Sequence, residues 1–415
     1  MKRFSRSSLT TMAVCLLFIP ALLKAQPRPA HRKKVGVVLS GGGAKGMAHI
    51  GVLKVIEKAG IPIDYVVGTS MGSIIGGLYS IGYSPEQLDS MVRRQDWTFL
   101  LSDKIPRSEQ NLSERDASQK YVFSIPFGKG VKAEVFGGLI RGQNLANLFS
   151  ELTIGYHDSI NFNKLPIPFA CVSENIVNGN EVNFHEGVLA TAMRASMAIP
   201  GVFTPVRLDS MVLVDGGVVN NYPVNVARAM GADLIIGVDV QSELKPAGEL
   251  NSAGAILGQL VNLMGQDLYK KNLKETTTYI KVNVEGYSAA SFTPSAIDTL
   301  IMRGEEAAMA QDSALMALKS QLGLDSTYMP QPIPSYPYSP ERKVYVKEIT
   351  FDGLDEKDKK WLLKRCDLKE NSEISIRRIE EATAILSANL GYSGATYNLP
   401  EAPGGGYNLY YTLSK

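Results

Sequence analysis

An α/β domain with a mostly parallel sheet, followed by a small α+β unit, is the fold this 415-residue chain predicts. Three observations carry the expectation. Apolar strand-length runs alternate with amphipathic helical segments from residue 33 to 284, the pattern of parallel strands covered on both faces by helices. Five prolines between Pro330 and Pro340 make a semi-rigid linker and a domain boundary. Beyond it the order changes to strand, helix, helix, strand, strand. The expected units are therefore a signal segment 1–25, a large domain 33–325, a linker 326–342 and a C-terminal domain 343–415.

Met1 to Ala25 reads as a secretory signal. Lys2, Arg3 and Arg6 precede an apolar run, Met12 to Leu23, that is too short to span a bilayer. Cleavage after Ala25 is the expectation, with Leu23 and Lys24 a poor small-residue site; a transmembrane anchor is the alternative. A strand from Lys33 to Leu39 then leads through a glycine loop into a helix, Met47 to Ala59. A second strand, Asp64 to Gly68, leads through a sharp turn into a helix, Ser73 to Ile81. Arg93 to Lys132 is polar and irregular, with Trp97 and Phe99 isolated in it; it reads as a surface loop or as a mobile lid. Phe169 to Phe184 reads as a β-hairpin about Asn178-Gly179-Asn180. A strand ends at Asp215, Ala253 to Met264 reads as a core helix, and a long helix, Pro294 to Leu322, closes the domain. In the last unit the expected elements are a strand Val344–Phe351, helices Glu356–Cys366 and Ile374–Leu390, and two strands, the last ending in Tyr407–Thr412.

Composition restricts the function classes. Lys and Arg number 43 against 41 Asp and Glu, so the net charge of +2 argues neither for nor against an anionic partner. No basic stripe with interleaved aromatics points to nucleic acid. Beyond Ala25 the cysteines are Cys171 and Cys366, in different expected domains, so no internal disulfide is expected and an exported chain of this length relies on its core. No His-x-x-x-His helix and no acidic loop of calcium-ligand spacing occurs, so neither a metal nor a cofactor is expected.

Ser70 stands in Gly68-Thr69-Ser70-Met71-Gly72, between an apolar strand and a helix. That context makes Gly-x-Ser-x-Gly a nucleophile elbow, against the alternative of a structural turn. Gly68 and Gly72 lack a Cβ and so let strand and helix approach. The helix starting at Met71 turns its positive end toward the serine oxygen. Ser40-Gly41-Gly42-Gly43-Ala44-Lys45-Gly46 leaves backbone amides able to face an anion. A dinucleotide cradle and an oxyanion hole both fit three glycines there; Asp64 opens the next strand instead of closing it, which favours the oxyanion hole. No Gly-Lys-Ser/Thr follows, which excludes a Walker loop. Val212 to Asp215 delivers a carboxylate at a strand end ahead of Gly216 and Gly217, either as a base for the serine or as a turn cap. Of His31, His49, His157 and His185, none follows Asp215, so a Ser-Asp-His order along the chain is not met and a Ser–Asp dyad fits better.

These segments together resemble the patatin-like phospholipase family: residues 40–53 (Ser-Gly-Gly-Gly-Ala-Lys-Gly-Met-Ala-His-Ile-Gly-Val-Leu), Gly68 to Gly72, Asp215 to Gly217, and the block Ala195 to Phe203. The resemblance covers roughly residues 33 to 325. It implies a three-layer α/β/α fold and a serine lipid acyl hydrolase, phospholipase A-like, acting without a cofactor on a phospholipid or other acyl-ester lipid at a membrane surface. Ser70 would be the nucleophile and Asp215 the base. The amides of Gly41, Gly42 and Gly43 would form the oxyanion hole, with Lys45, Gly46, Gly68, Gly72, Gly216 and Gly217 supporting the motifs. Met193, Met197, Ile199 and Phe203 read equally as core or as the lining of an acyl pocket. Residues 343–415 resemble a polypeptide-transport-associated domain in element order and in the Leu390-Gly391-Tyr392 after the second helix. That resemblance implies an exported protein of the Gram-negative periplasm or outer membrane, of the patatin-type branch of type V secretion. It also implies an outer-membrane β-barrel partner, and no run of barrel strands is found up to Lys415. A non-enzymatic outer-membrane assembly module, and an esterase or thioesterase on a soluble acyl donor, are the competing readings.

Overall fold

The computed structural model describes residues 32–104, 138–251, 253–334, 341–352, 354, 356–389 and 394–414. The expected signal segment, residues 105–132 of the expected loop or lid, and residues 335–340 of the linker lie outside them. Along the chain, β1 (Val35–Leu39) leads through a 3-10 turn (Gly43–Met47) into helix Ala48–Lys58, and β2 (Tyr65–Thr69) turns directly into helix Met71–Ser80. After β3 (Gly138–Ile140), helix Gln143–Leu152 and β4 (Ile160–Asn161), β5 (Phe169–Asn175) and β6 (Asn180–Phe184) form the expected hairpin. Its turn uses Gly179 at φ +72°. Then β7 (Glu186–Gly187), helix Leu189–Ser196, β8 (Gly201–Phe203) and β9 (Val206–Leu208) lead to β10 (Met211–Asp215), followed by β11 (Leu234–Asp239) and β12 (Thr278–Lys281).

The main sheet runs β12-β11-β1-β2-β5, each pair parallel, and continues through antiparallel β10 and β9, with β6 antiparallel to β5. Alternation along the strands feeds two cores. Val35, Val37 and Leu39 of β1 face the larger one, whereas Val38, Val67 and Ala170 face a second, closed by Tyr222, Val224 and Ala227. Side chains buried on both faces are what a parallel sheet between helix layers requires, so the α/β/α architecture is the one expected.

One register detail places the site. Val172 of β5 pairs with Asn183 of β6 and with Thr69 of β2, while its neighbour Ser173 pairs with Val182 of β6 and with Asp215 of β10. Strands β2 and β10 therefore share one edge of β5. They run toward each other and end on adjacent residues.

Two expectations need correction. Pro294 to Leu322 is not one helix but two, Pro294–Met309 and Asp312–Gln321, and the second turns Leu315 and Leu318 into the core. Ala253–Met264 is helical as expected but is not a core helix: Ile256, Leu260 and Leu263 are about half exposed. Helical spacing tells which residues share a face and leaves open whether anything covers it.

The C-terminal unit is α+β, with one strand more than expected. Its sheet runs β14-β13-β16-β15, built from β13 (Lys343–Phe351), β14 (Ser372–Ser375), β15 (Gly394–Asn398) and β16 (Tyr407–Ser414). Helices Glu356–Arg365 and Ile376–Asn389 pack on it, around Val346, Ile349, Leu362, Ile379, Leu386 and Tyr411. The four residues of β14 are too short for their alternation to stand out, and the run Ser372–Ser375 reads instead as the approach to the second helix.

Helix Pro294–Met309 crosses helix Ala48–Lys58 at two glycines. A Cβ on Gly304 would lie 2.0 Å from the Ala48 carbonyl oxygen, and one on Gly51 would lie 2.0 Å from that of Ile301. Both obstacles are backbone, so the helices would have to separate. Gly304→Ala is expected to lower the unfolding free energy by about 1–3 kcal/mol in urea titration. Gly258→Ala, in the exposed helix with nothing within 4 Å of the new methyl, is expected to be neutral or stabilising.

Candidate active site

Ser70 lies between the last residue of β2 and the first of helix Met71–Ser80, at φ 55° and ψ −123°. A non-glycine residue at positive φ is strained and persists only where its surroundings fix it. They do so here by close packing. A Cβ on Gly68 would lie 2.3 Å from the Gly72 carbonyl oxygen, and one on Gly72 would lie 2.1 Å from that of Leu39, at the end of β1. Neither position tolerates a side chain. The Ser70 amide donates to Ser196 Oγ at 3.0 Å, and Ser196 Oγ donates to the Val172 carbonyl at 2.6 Å. Ser196 therefore ties the serine turn to the middle of β5.

Asp215 closes β10, and the end-to-end meeting of β10 with β2 brings its carboxylate to Ser70. Ser70 Oγ donates to Asp215 Oδ2 at 2.6 Å, and the Gly217 amide donates to Asp215 Oδ1 at 2.7 Å. Both oxygens are thus held, one by a backbone turn and one by Ser70. Burial pushes the Asp215 carboxyl up to about 6, against the lowering effect of those two hydrogen bonds. Gly216 is required because its Cβ would meet the Val172 carbonyl oxygen at 2.2 Å. Gly217 gives the turn its donor.

The glycine loop stands directly against the serine: a Cβ on Gly41 would lie 3.0 Å from Ser70 Cβ. The Gly41 amide is already spent on the Asn221 carbonyl at 3.2 Å, and the Ala44 amide on the Ala289 carbonyl at 2.9 Å. Between them, the amides of Gly42 and Gly43 have no protein acceptor among the described residues. Gly43 sits at φ +57°, with Ala289 where its Cβ would go. Gly46 makes room for the Met71 side chain. Lys45 points elsewhere: its ammonium donates to Ser242 Oγ at 2.8 Å, and burial, then the charge of Lys281, bring it down to about 8.

The histidines of the described residues take other roles. His49 faces the Ser40 carbonyl and His157 the Ser150 carbonyl, and burial brings both down to about 4. Among the described residues no group of His, Cys, Asp and Glu could hold a metal ion, and no helix is long and apolar enough to cross a membrane. Cys171 and Cys366 are buried free thiols.

From Ser70 and Gly43 opens an apolar cavity of about 320 Å³. Met71, Ile74, Ile75 and Leu78 of one helix line it, as do Leu145, Leu148, Phe149 and Leu152 of another, together with Met197, Ile199 and Phe203. Met193 does not: it is fully buried and packs against Gly77. Trp97 lines the cavity and stacks on Phe292 at 4.8 Å between ring centroids. Ser196, Asn221 and Ala289 are the supporting residues that sequence reasoning missed. Ser196 lies inside the block Ala195–Phe203 that carries the family resemblance, which was the available signal.

Burial of Asp215 has a consequence for stability. A folded-state pKa raised from 3.8 to about 6 gives a contribution that is fully present below pH 3.8 and lost as pH rises through about 6. At pH 8 the buried charge therefore costs about 3 kcal/mol. Asp215→Asn is expected to raise the unfolding free energy at pH 8 by on the order of 1–3 kcal/mol, with the gain vanishing near pH 4, by urea titration at both pH values.

The family model for patatin-like phospholipase matches residues 37–228. Lysophospholipase NTE1 of Candida albicans is 31% identical over 221 residues, 52% of this chain and 14% of the fungal protein. Patatin-like phospholipase domain-containing protein 6 of Mus musculus is 32% identical over 211 residues, 50% of this chain and 14% of the mouse protein. An uncharacterized NTE family protein of Mycobacterium tuberculosis is 29% identical over 230 residues, 55% of each chain. The chain thus spans about half or less of the length of these relatives. The crystal structure of VipD from Legionella pneumophila aligns over 71% of this chain and 68% of its own at 15% identity, with a TM-score of 0.38, a likeness on which nothing further rests. The serine turn, the glycine loop and the β10 carboxylate all fall inside the one matched stretch, residues 37–228, which is similar to patatin-like phospholipase domains.

Proposed function

We propose that this protein is a serine lipid acyl hydrolase, phospholipase A-like, working through a Ser70–Asp215 dyad and an acyl-enzyme. The observation that carries the reading is the 2.6 Å hydrogen bond from Ser70 to a buried carboxylate, at the mouth of an apolar cavity and beside two unused backbone amides. The similarity to patatin-like phospholipases supports it.

In this mechanism Asp215 takes the Ser70 proton as Oγ attacks the ester carbonyl. The tetrahedral oxyanion is held by the Gly42 and Gly43 amides, which need no reorganisation because the loop fixes them on either flank. Asp215 then passes the proton to the leaving alcohol, and the acyl group stays on Ser70. A water deprotonated by Asp215 attacks the acyl-enzyme, and the proton returns to Ser70 as the fatty acid leaves. The acyl tail occupies the cavity, whose lining beyond Ser70 is almost wholly apolar among the described residues; this favours a lipid over a soluble acyl donor.

Ser70→Ala is expected to lower ester hydrolysis by ~10³-fold or more, and Asp215→Asn by a comparable factor, with chelator without effect. Because Asp215 must be ionised to accept a proton, kcat/KM is expected to rise with pH through about 6 and then level off. Hydrolysis of a phospholipid and a nitrophenyl ester by purified protein checks each outcome; activity surviving Ser70→Ala rejects the dyad.

In this reading residues 343–415 are a polypeptide-transport-associated module and the protein is exported to the periplasm or outer membrane, where a β-barrel is its partner. Two helices packed on a small sheet support the first inference; the basic and apolar pattern of Met1 to Ala25 supports the second. N-terminal sequencing of protein recovered from a Gram-negative envelope is expected to begin at Gln26.

A further inference from the structure

Helix Gln143–Leu152 has two faces that serve two different parts of the molecule. Its inward residues Leu145, Leu148, Phe149 and Leu152 are one wall of the apolar cavity. Its outward residues meet the C-terminal unit: Gln143 Nε2 and Asn147 Nδ2 both donate to the Ala395 carbonyl of β15, the latter at 3.2 Å. Gly394 leaves room for Gln143, whose Oε1 would be 2.7 Å from a Cβ there. Just past the helix, Ile154 is buried in the core of the C-terminal unit, and the Glu401 amide donates to Asp158 Oδ2 at 3.0 Å.

His157 ties these parts together. Its ring is buried, with Nε2 at 2.7 Å from the Ser150 carbonyl in the last turn of the helix. The Leu399 amide, at the end of β15, donates to Nδ1 at 2.8 Å. Since Nδ1 accepts, Nε2 carries the proton and donates to Ser150. One neutral ring thus bridges the cavity-wall helix and the C-terminal unit.

We propose that the C-terminal unit braces the acyl cavity: docked through His157, Gln143 and Asn147, it holds helix Gln143–Leu152 in place and so sets whether a long acyl chain is accepted. The inference rests on the acyl-hydrolase reading above for its consequence, not for its structural part. A helix of this length is marginal alone in water and depends on packing. Releasing its outward face leaves it held by its cavity face and by Asn144, whose Nδ2 donates to the carbonyls of Phe99, Ser102 and Lys104. Ser70, the glycine loop and Asp215 belong to the sheet and its turns, so loosening the helix leaves the reacting groups where they are. His157 is therefore a positioning residue, and its loss falls on chain-length preference and not on the chemical step.

The test uses the full chain. His157→Phe keeps a ring of similar size and removes both hydrogen bonds; Gln143→Ala with Asn147→Ala is the milder companion should the first fail to fold. Amide hydrogen exchange is followed in residues 143–152 and 65–80, and hydrolysis is compared on nitrophenyl palmitate and nitrophenyl butyrate. Bracing predicts about fivefold or more faster exchange in 143–152, the factor carried by one lost hydrogen bond, with 65–80 unchanged. It also predicts a similar fall in the palmitate-to-butyrate ratio, with butyrate hydrolysis retained. Loss of protection in β15 while 143–152 stays protected overturns the proposal, as does an equal fall on both esters. If the wild type hydrolyses neither ester, the acyl-hydrolase reading fails and the exchange comparison still decides the bracing.

Discussion

Strands β2 and β10 approach each other along one edge of β5, and the rest of the site depends on where they stop. Thr69 pairs with Val172 and Asp215 with Ser173, so one peptide step on β5 separates the ends of two strands that are 146 residues apart in the chain. A parallel strand and an antiparallel strand can share an edge only if both end there. Each end is then free to turn out of the sheet, β2 into a helix and β10 into a glycine turn. The serine and the carboxylate are thrown out toward each other by that geometry.

Holding Ser70 at positive φ has a cost, and the packing around it supplies the constraint. Gly68, Gly72 and Gly216 are each pressed against backbone carbonyls, so the turn cannot relax by moving aside. Ser196 anchors the Ser70 amide to β5. Burial does the complementary electrostatic work: it raises the Asp215 carboxyl far enough to make it a better proton acceptor, while the Gly217 amide keeps one oxygen oriented. In the proposed mechanism the same burial that destabilises the folded protein at neutral pH makes Asp215 the proton acceptor for Ser70.

The apolar cavity is built differently from the proposed dyad. Its first wall is the helix that follows Ser70, so that wall is positioned by the serine turn itself. Its second wall, helix Gln143–Leu152, is set between the cavity and a separate α+β unit. Ser70 and Asp215 belong to the sheet and its turns, whereas one side of the proposed substrate space is held by contacts to the C-terminal unit.

Local chemistry was legible in the sequence because it is written in local terms. Short apolar runs marked the strands, Gly68 and Gly72 marked the turn around Ser70, and Asn178-Gly179 marked the hairpin. Three consecutive glycines marked an amide-lined loop. Other features needed the tertiary structure. Gly41 was grouped with Gly42 and Gly43, yet its amide is taken by Asn221, a residue 180 positions away. Met193 looked as able as Met197 to line a pocket, and only packing on Gly77 decided that it does not. The helix Ala253–Met264 has a core-like composition and an exposed face, because spacing names a face without naming its partner. The break between Met309 and Asp312 and the short strand β14 left too little periodic signal to be read. Sequence by itself determined which residues could be nucleophile, base and anion-facing amides. Tertiary structure decided that they meet, because the order of strands in a sheet, and the residue at which two of them end, depend on pairings between distant segments that no local pattern records.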